Sequence, residues 1–132
     1  MTEQLRPGLV GEARTMVDRG NLASSYAADA VDLYATPAMI GLMESAAINA
    51  VDPLLPSGSV SVGTRLDVKH LAATPPGLEV VARAELLEVD GRRLVFRVEA
   101  FDPAEKIGEG THERSVVERD RLVARATAKS NG

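Results

Sequence analysis

The chain has no cysteine and no tryptophan, and only two tyrosines and two phenylalanines. Without cysteine there is no disulfide and no thiolate metal site, and a reducing compartment is permitted. With so few aromatic rings, aliphatic side chains must fill the core. Positive charge is not clustered either. Fifteen Lys and Arg against nineteen Asp and Glu leave a net charge of −4 with no long basic run, so nucleic acid is not an expected partner. No uncharged stretch approaches the roughly 20 residues that a membrane-spanning helix needs. The N-terminus has no basic segment followed by an apolar run, so no secretory leader is expected and a soluble cytoplasmic protein is the default. The 132 residues suffice for one domain with one core, residues 1–132, and a hydrophobic share of 45% argues against disorder.

Charge is scarcest where it matters most. From Pro37 to Val51 the only ionisable side chain is Glu44. Thr36 reads as the N-cap, Pro37 as the first helical residue, and Asp52-Pro53 as the stop. A helix apolar all round its axis is expected to be buried. A carboxylate in such a helix must find a partner, stay protonated or do chemistry.

After the helix the pattern changes to a period of two. Val60, Val62, Thr64, Leu66, Val68 and His70 fall on one face of a strand over 59–70, the expected buried face; Ser61, Gly63, Arg65, Asp67 and Lys69 fall on the other. Thr74-Pro75-Pro76-Gly77 is a turn. Leu78 to Val89 is a strand with Leu78, Val80, Ala82, Ala84 and Leu86 inward. Asp90-Gly91 signals a hairpin, and Arg92 to Phe101 returns with Leu94, Phe96, Val98 and Ala100 inward. Ile107 to Val117 is a last strand. Before the helix, Leu9 to Val17 reads as a first strand and Asp18 to Tyr34 as a loop or short helix. The tail over 118–132 reads as a solvated or frayed end. One long helix against an antiparallel sheet is an α+β layer arrangement. A sheet wrapped around one long buried helix is the hotdog fold.

Three residues could carry chemistry: Thr36, Glu44 and His70. Each also has a purely structural reading, as a helix cap, a paired carboxylate and a strand-end residue. Glu44 lies roughly 12 Å along the helix axis from Thr36. His70, on the apolar face of its strand, is expected to point inward toward Glu44, in one chain or across two. His112 reads as a sheet-face residue. No His-x-x-His or Glu-x-x-His spacing supports a metal, and no glycine-rich phosphate loop or nucleophile elbow is present, so no cofactor is expected.

Several blocks resemble one family: Ala35-Thr36, Gly41-Leu42-Met43-Glu44, His70, the run from Ala72 to Leu78, Gly91-Arg92-Arg93-Leu94, and Gly110-Thr111-His112-Glu113-Arg114. Together they are similar to the fluoroacetyl-coenzyme A thioesterases and their hotdog relatives. The resemblance implies a homodimeric enzyme that hydrolyses a short acyl-CoA thioester, with Thr36, Glu44 and His70 as its catalytic set. It also implies that Gly63 and Arg114 contact the substrate. Met39, Ile40 and Met43 would wall a small acyl pocket. The family's fluoroacetate-specific member carries phenylalanines in a lid before the helix, whereas Leu9 to Thr36 here contains only Tyr26 and Tyr34 as aromatics. Those two are the candidate gate residues. Within the same fold the alternatives are a thioesterase for carrier-protein-bound acyl groups and a non-catalytic acyl-CoA-binding module. A hydratase would pair an Asp and a His close in sequence, and no such pair is visible.

Overall fold

The computed structural model describes residues 4–131. In chain order the elements are β1 (Val10–Met16), a short 3₁₀ turn at Ala23–Ser25, α1 (Thr36–Val51), β2 (Ser59–His70), β3 (Glu79–Asp90), β4 (Arg93–Phe101), β5 (Lys106–Glu118) and α2 (Arg119–Thr127). The five strands form one antiparallel sheet in the order β1-β3-β4-β5-β2. β2 and β1 are therefore its two edges.

The alternation in β3 and β4 sets the core. Val80, Ala82, Ala84 and Leu86 face inward from β3, and Leu94, Phe96, Val98 and Ala100 from β4, all fully buried. Each fully buried Leu or Phe contributes about 1.5–3 kcal/mol. Asp90 and Arg93 are paired across a two-residue loop in which Gly91 takes φ +60°, the left-handed turn that the Asp-Gly pair signals. α1 lies across the inner face, and β1 packs against it backbone to backbone. A Cβ on Gly11 would collide with the main chain of Ala46 and Ala50. Small residues on both sides are what let the helix settle this close.

Three expectations need correction. α1 is not buried all round. Met39, Met43, Ala46, Ala47, Ala50 and Val51 are buried, but Gly41 and Ser45 are exposed and Ile40, Glu44 and Ile48 only half covered. One chain's sheet covers one side of the helix and leaves the other open. Nor does β2 keep one face inward. Its register against β5 shifts between Gly63 and Arg65, where Thr64 bulges out of the ladder. A bulge reverses the alternation beyond it. Ser61, expected on the wet face and lying before the bulge, is buried, while Leu66, beyond it, stands opposite buried His112 on the face expected and is nevertheless 39% exposed, because one chain leaves that edge of the sheet uncovered. The tail forms a helix, α2, tied to the turn before β2 by Arg119 N–H donating to the Gly58 carbonyl at 2.9 Å, although none of its side chains is buried.

Candidate active site

Glu44 sits midway along α1 with its side chain 36% exposed. It faces β5, where Arg114 is held in register opposite Gly63 of β2. The absent side chain of Gly63 is what admits the carboxylate. A Cβ there would stand 2.5 Å from Glu44 Oε2 and 3.3 Å from His112 Cε1.

Arg114 is almost wholly buried, and its hydrogen bonds are fixed by chemistry. Nε donates to Ser61 Oγ at 2.7 Å, Nη2 to the Ser61 carbonyl at 2.8 Å, and Nη1 to both Glu44 Oε2 at 3.3 Å and His112 Nε2 at 3.1 Å. Four of the five guanidinium N–H groups are thus used. Ser61 passes the chain on, its hydroxyl donating to Asp52 Oδ1 at 2.6 Å. His112 is fully buried, with Nδ1 2.9 Å from the Arg65 carbonyl. A carbonyl only accepts, so Nδ1 carries the proton. Nε2 is then the bare nitrogen that receives Arg114. Burial, and next the Arg114 charge, hold His112 below the usual histidine range, which keeps the ring in this neutral form. Burial also lowers Arg114, opposed by the Glu44 and Asp52 carboxylates. Arginine nevertheless remains charged in any protein setting.

A second cluster lies at the start of α1. Thr36 Oγ1 is 2.7 Å from His70 Nδ1, and His70 Nε2 is buried with no partner among the described residues. Burial lowers the His70 pKa, so the ring is neutral near pH 7 and can take or give one proton. Thr36 is not the N-cap. Ala35 occupies that position, and Thr36 is the first helical residue, with no side chain capping the helix. The hydroxyl is thereby free for His70, and the leading N–H groups of α1, with the positive end of its dipole, stay open beside it. His70 accordingly faces Thr36 rather than Glu44. No hydrogen bond joins the two clusters within one chain among the described residues.

A family described as fluoroacetyl-CoA-specific thioesterase matches residues 17–120. A relative from Streptantibioticus cattleyicolor, named fluoroacetyl-CoA thioesterase, is 48% identical over 99 residues, which is 75% of this chain and 71% of the relative. This chain belongs to the fluoroacetyl-CoA-specific thioesterase family. A solved fluoroacetyl-CoA thioesterase superposes with a TM-score of 0.90 at 39% identity, covering 95% of this chain and 97% of that one. A hot-dog-like protein from Thermanaerovibrio acidaminovorans gives 0.88 at 28% identity, covering 99% and 97%. The hotdog fold expected from the strand pattern is therefore the observed one, and the family is one of thioester hydrolases.

The remaining candidates fall behind the two clusters. Met39 and Met43 are fully buried and press on β5, where a Cβ on Gly108 would lie 2.5 Å from Met39 Sδ and 3.2 Å from Met43 Cε. Tyr34 is buried too. Its N–H donates to the Thr74 carbonyl at 2.9 Å, and its hydroxyl is enclosed without a partner among the described residues. Burial, and next the Tyr26 phenol, push its pKa up to about 12. Tyr26 is 58% exposed on a loop closed by the Leu22–Tyr34 bridge and by the Ser24 hydroxyl donating to Asp32. Reading the sequence missed Ser61, Asp52 and His112. A usable signal existed for His112: it shares parity with Arg114 and Val116 in β5, and all three are buried.

Proposed function

We propose that this chain hydrolyses a short acyl-CoA thioester to the free acid and CoA, with Thr36, Glu44 and His70 as its catalytic groups. The observation that carries this reading is the state of Glu44. It is a carboxylate in an otherwise uncharged helix, held by one N–H of an arginine that is anchored elsewhere, with the rest of the group open to an incoming molecule. A thioester carbonyl needs an attacking group, a proton donor for the leaving thiolate, and donors for the developing oxyanion. Glu44 supplies the first, either by taking a proton from water or by attacking the carbonyl itself. His70, neutral and oriented by Thr36, supplies the proton to the CoA sulfur. The open N–H groups at the start of α1 and the Arg114 guanidinium favour the negative charge that builds on the carbonyl oxygen. Gly63 and Arg114 contact the reacting end of the substrate, and Met39, Met43 and Tyr34 form the wall behind it.

The reaction belongs to a homodimer. Thr36 and Glu44 stand eight positions apart on one helix, roughly 12 Å along the axis, too far for both to serve one carbonyl. The open flank of α1 and the unpaired edge of β2 favour a C2 pair joined through those surfaces, with Thr36 and His70 of one protomer meeting Glu44 of its partner. A cytoplasmic setting fits, because CoA thioesters are made and consumed there.

The test is a panel of acetyl-, fluoroacetyl-, propionyl- and longer acyl-CoA esters in steady-state assays, with light scattering on the same sample. Turnover of the short esters by a dimer is expected. No turnover of any short ester overturns the activity, and a monomer at micromolar concentration overturns the shared site.

A further inference from the structure

One buried acid belongs to neither cluster. Asp102 follows β4 and is 8% exposed. Its Oδ1 accepts the N–H groups of Ala104 at 2.8 Å and Glu105 at 3.0 Å, which shapes the loop leading into β5. A turn of that kind needs only one side-chain oxygen. The other oxygen reaches Thr74, 28 positions away in the sequence, whose hydroxyl donates to Oδ2 at 2.9 Å. Thr74 is wholly buried. Burial acts to raise the Asp102 pKa, but the Ala104, Thr74 and Glu105 donors outweigh it and hold the group below the usual carboxylate range. The acid is therefore ionised and only accepts, so Thr74 is the donor. A hydrogen bond to a charged group is roughly twice as strong as one between neutral groups.

Thr74 lies four positions beyond His70, at the end of the strap that leaves β2. Both ends of the strap are held. At its start the Leu71 and Ala72 N–H groups donate to the Ile107 carbonyl, at 2.7 and 3.3 Å. At its far end Pro75 and Pro76 stiffen the chain and keep Thr74 extended, while Asp102 holds the Thr74 side chain. Two contacts lead from the strap to the threonine-histidine pair. The Thr74 carbonyl accepts the N–H of Tyr34, two positions before Thr36. The Ala72 carbonyl comes close to the His70 ring but leaves Nε2 without a hydrogen bond. Burial lowers the His70 pKa, and this carbonyl opposes the shift.

We propose that Asp102 is a positioning residue for thioester hydrolysis: through Thr74 it holds the strap that keeps Thr36 and His70 at hydrogen-bonding distance. The proposal rests on the reading of Thr36 and His70 as catalytic groups and adds what holds them together. Their 2.7 Å contact joins the start of a helix to the end of a strand, and such a junction has no ladder of backbone bonds to fix its spacing. The strap supplies the missing constraint, because it continues the chain of His70 and bonds the chain that enters Thr36. A displacement near 1 Å at a catalytic group costs about a hundredfold in rate, so a contact this far from the substrate has a large effect on turnover.

Three substitutions at Thr74 test this. Thr74→Val keeps the shape and removes the hydroxyl. Thr74→Ala removes it too and leaves room for a water to serve Asp102, so it folds even where the valine does not. Thr74→Ser restores the donor. With acetyl-CoA the first two are expected to lose about tenfold to a hundredfold in kcat with KM changed by no more than about twofold, and the serine variant to recover most of the loss. A proton NMR titration supplies a reading that needs no turnover. The chain has only two histidines, His70 and His112, and the His112→Gln variant assigns them. Burial is the larger influence on His70, so a loosened strap that admits water is expected to move its midpoint up, toward the ordinary histidine value, while His112 in the other cluster stays in place. An unmoved His70 in both the valine and alanine variants overturns the proposal. So does an equal shift of His112, which marks general loosening, and so does a loss of kcat that serine leaves unrepaired. A wild type that hydrolyses no acyl-CoA ester while His70 alone shifts in the variants defeats the activity and leaves the positioning contact standing.

Discussion

Gly63 and His70 face the same helix, although they stand an odd number of positions apart along β2. In a regular strand residues seven apart point to opposite faces. Here Gly63 opens toward Glu44 and His70 bonds Thr36, so both look at α1. The bulge at Thr64 makes this possible by adding one residue to β2 and none to β5. One irregularity thus aligns the arginine-carboxylate cluster with the threonine-histidine cluster.

Removing that irregularity is the first test. Deletion of Thr64 keeps Gly63 opposite Arg114 and His70 opposite Gly108, both still toward α1, but removes the local bend and twist of the bulge and so shifts one cluster against the other. The expected result is a cooperative, folded protein whose kcat falls by about a hundredfold or more, since a misplacement near 1 Å alone costs that much. Wild-type kcat in the deletion variant would mean that the bulge positions nothing.

Gly63 and Glu44 make a matched pair of substitutions. Glu44→Gln removes the carboxylate with little change of shape and is expected to lower kcat by several orders of magnitude. Gly63→Ala leaves the carboxylate but sets a methyl group 2.5 Å from Oε2, too close for it to stay where it is. Its carboxylate end can swing aside, so the fold survives, and kcat is expected to drop about a hundredfold with a smaller change in KM. Steady-state rates and melting curves on both variants measure this. A fully active Glu44→Gln protein returns Glu44 to a structural role.

His112 gives a pH dependence with a definite sign. Burial depresses its pKa below the ordinary 6.5, so the unfolded chain binds a proton more readily than the folded one. The stability this histidine contributes is complete above about pH 6.5 and falls as the pH drops toward its folded value. His70 is lowered for the same reason and adds to the same slope. Protonated His112 would also present a second cation to Arg114. His112→Gln keeps an acceptor for Arg114 without titrating, so urea unfolding between pH 7.5 and 5.5 should show a shallower loss than in the wild type. His112→Leu leaves the buried Arg65 carbonyl and one Arg114 N–H unpaired, and is expected to cost about 1–3 kcal/mol at neutral pH. Equal slopes in the wild type and His112→Gln would contradict this placement of the ring.

The sequence carried the fold through its clearest periodicities. β3 and β4 alternate without interruption and their turn is an Asp-Gly, so both strands, their inward faces and the hairpin could be read directly. α1 could be read from Pro37 at one end and Asp52-Pro53 at the other. The site was less legible. Glu44 stood out only because its helix carries no other charge. Ser61 was hidden because a bulge leaves no mark in a hydrophobicity pattern, and a strand read in one register puts it on the wrong face. Asp52 was read only as a helix stop, since nothing local reveals that its carboxylate reaches Ser61. Thr36 was read as a cap because threonine before proline at a helix start usually is one; here Ala35 holds that position and the hydroxyl serves a strand that begins more than twenty residues later.

Selectivity depends on the loop before α1. A pocket walled by aliphatic side chains separates acyl groups by only about 1–3 kcal/mol per methylene-sized difference. Strong preference for fluoroacetyl over acetyl needs a further element that moves or senses the fluorine. Of the two aromatics available, Tyr34 cannot swing. It is 3% exposed, packed in the core and bound through its main chain to Thr74. Tyr26 is 58% exposed at the loop tip and is the one aromatic free to reach a substrate. A single exposed phenol on a solvated loop excludes little water. The expected outcome is a modest fluoroacetyl-to-acetyl ratio of kcat/KM, with Tyr26→Ala changing it by no more than about tenfold. Measuring both esters side by side decides the matter. A wild-type ratio of about 10⁴ or more exceeds what a methylene-sized contact supplies and would show that the loop closes into a gate.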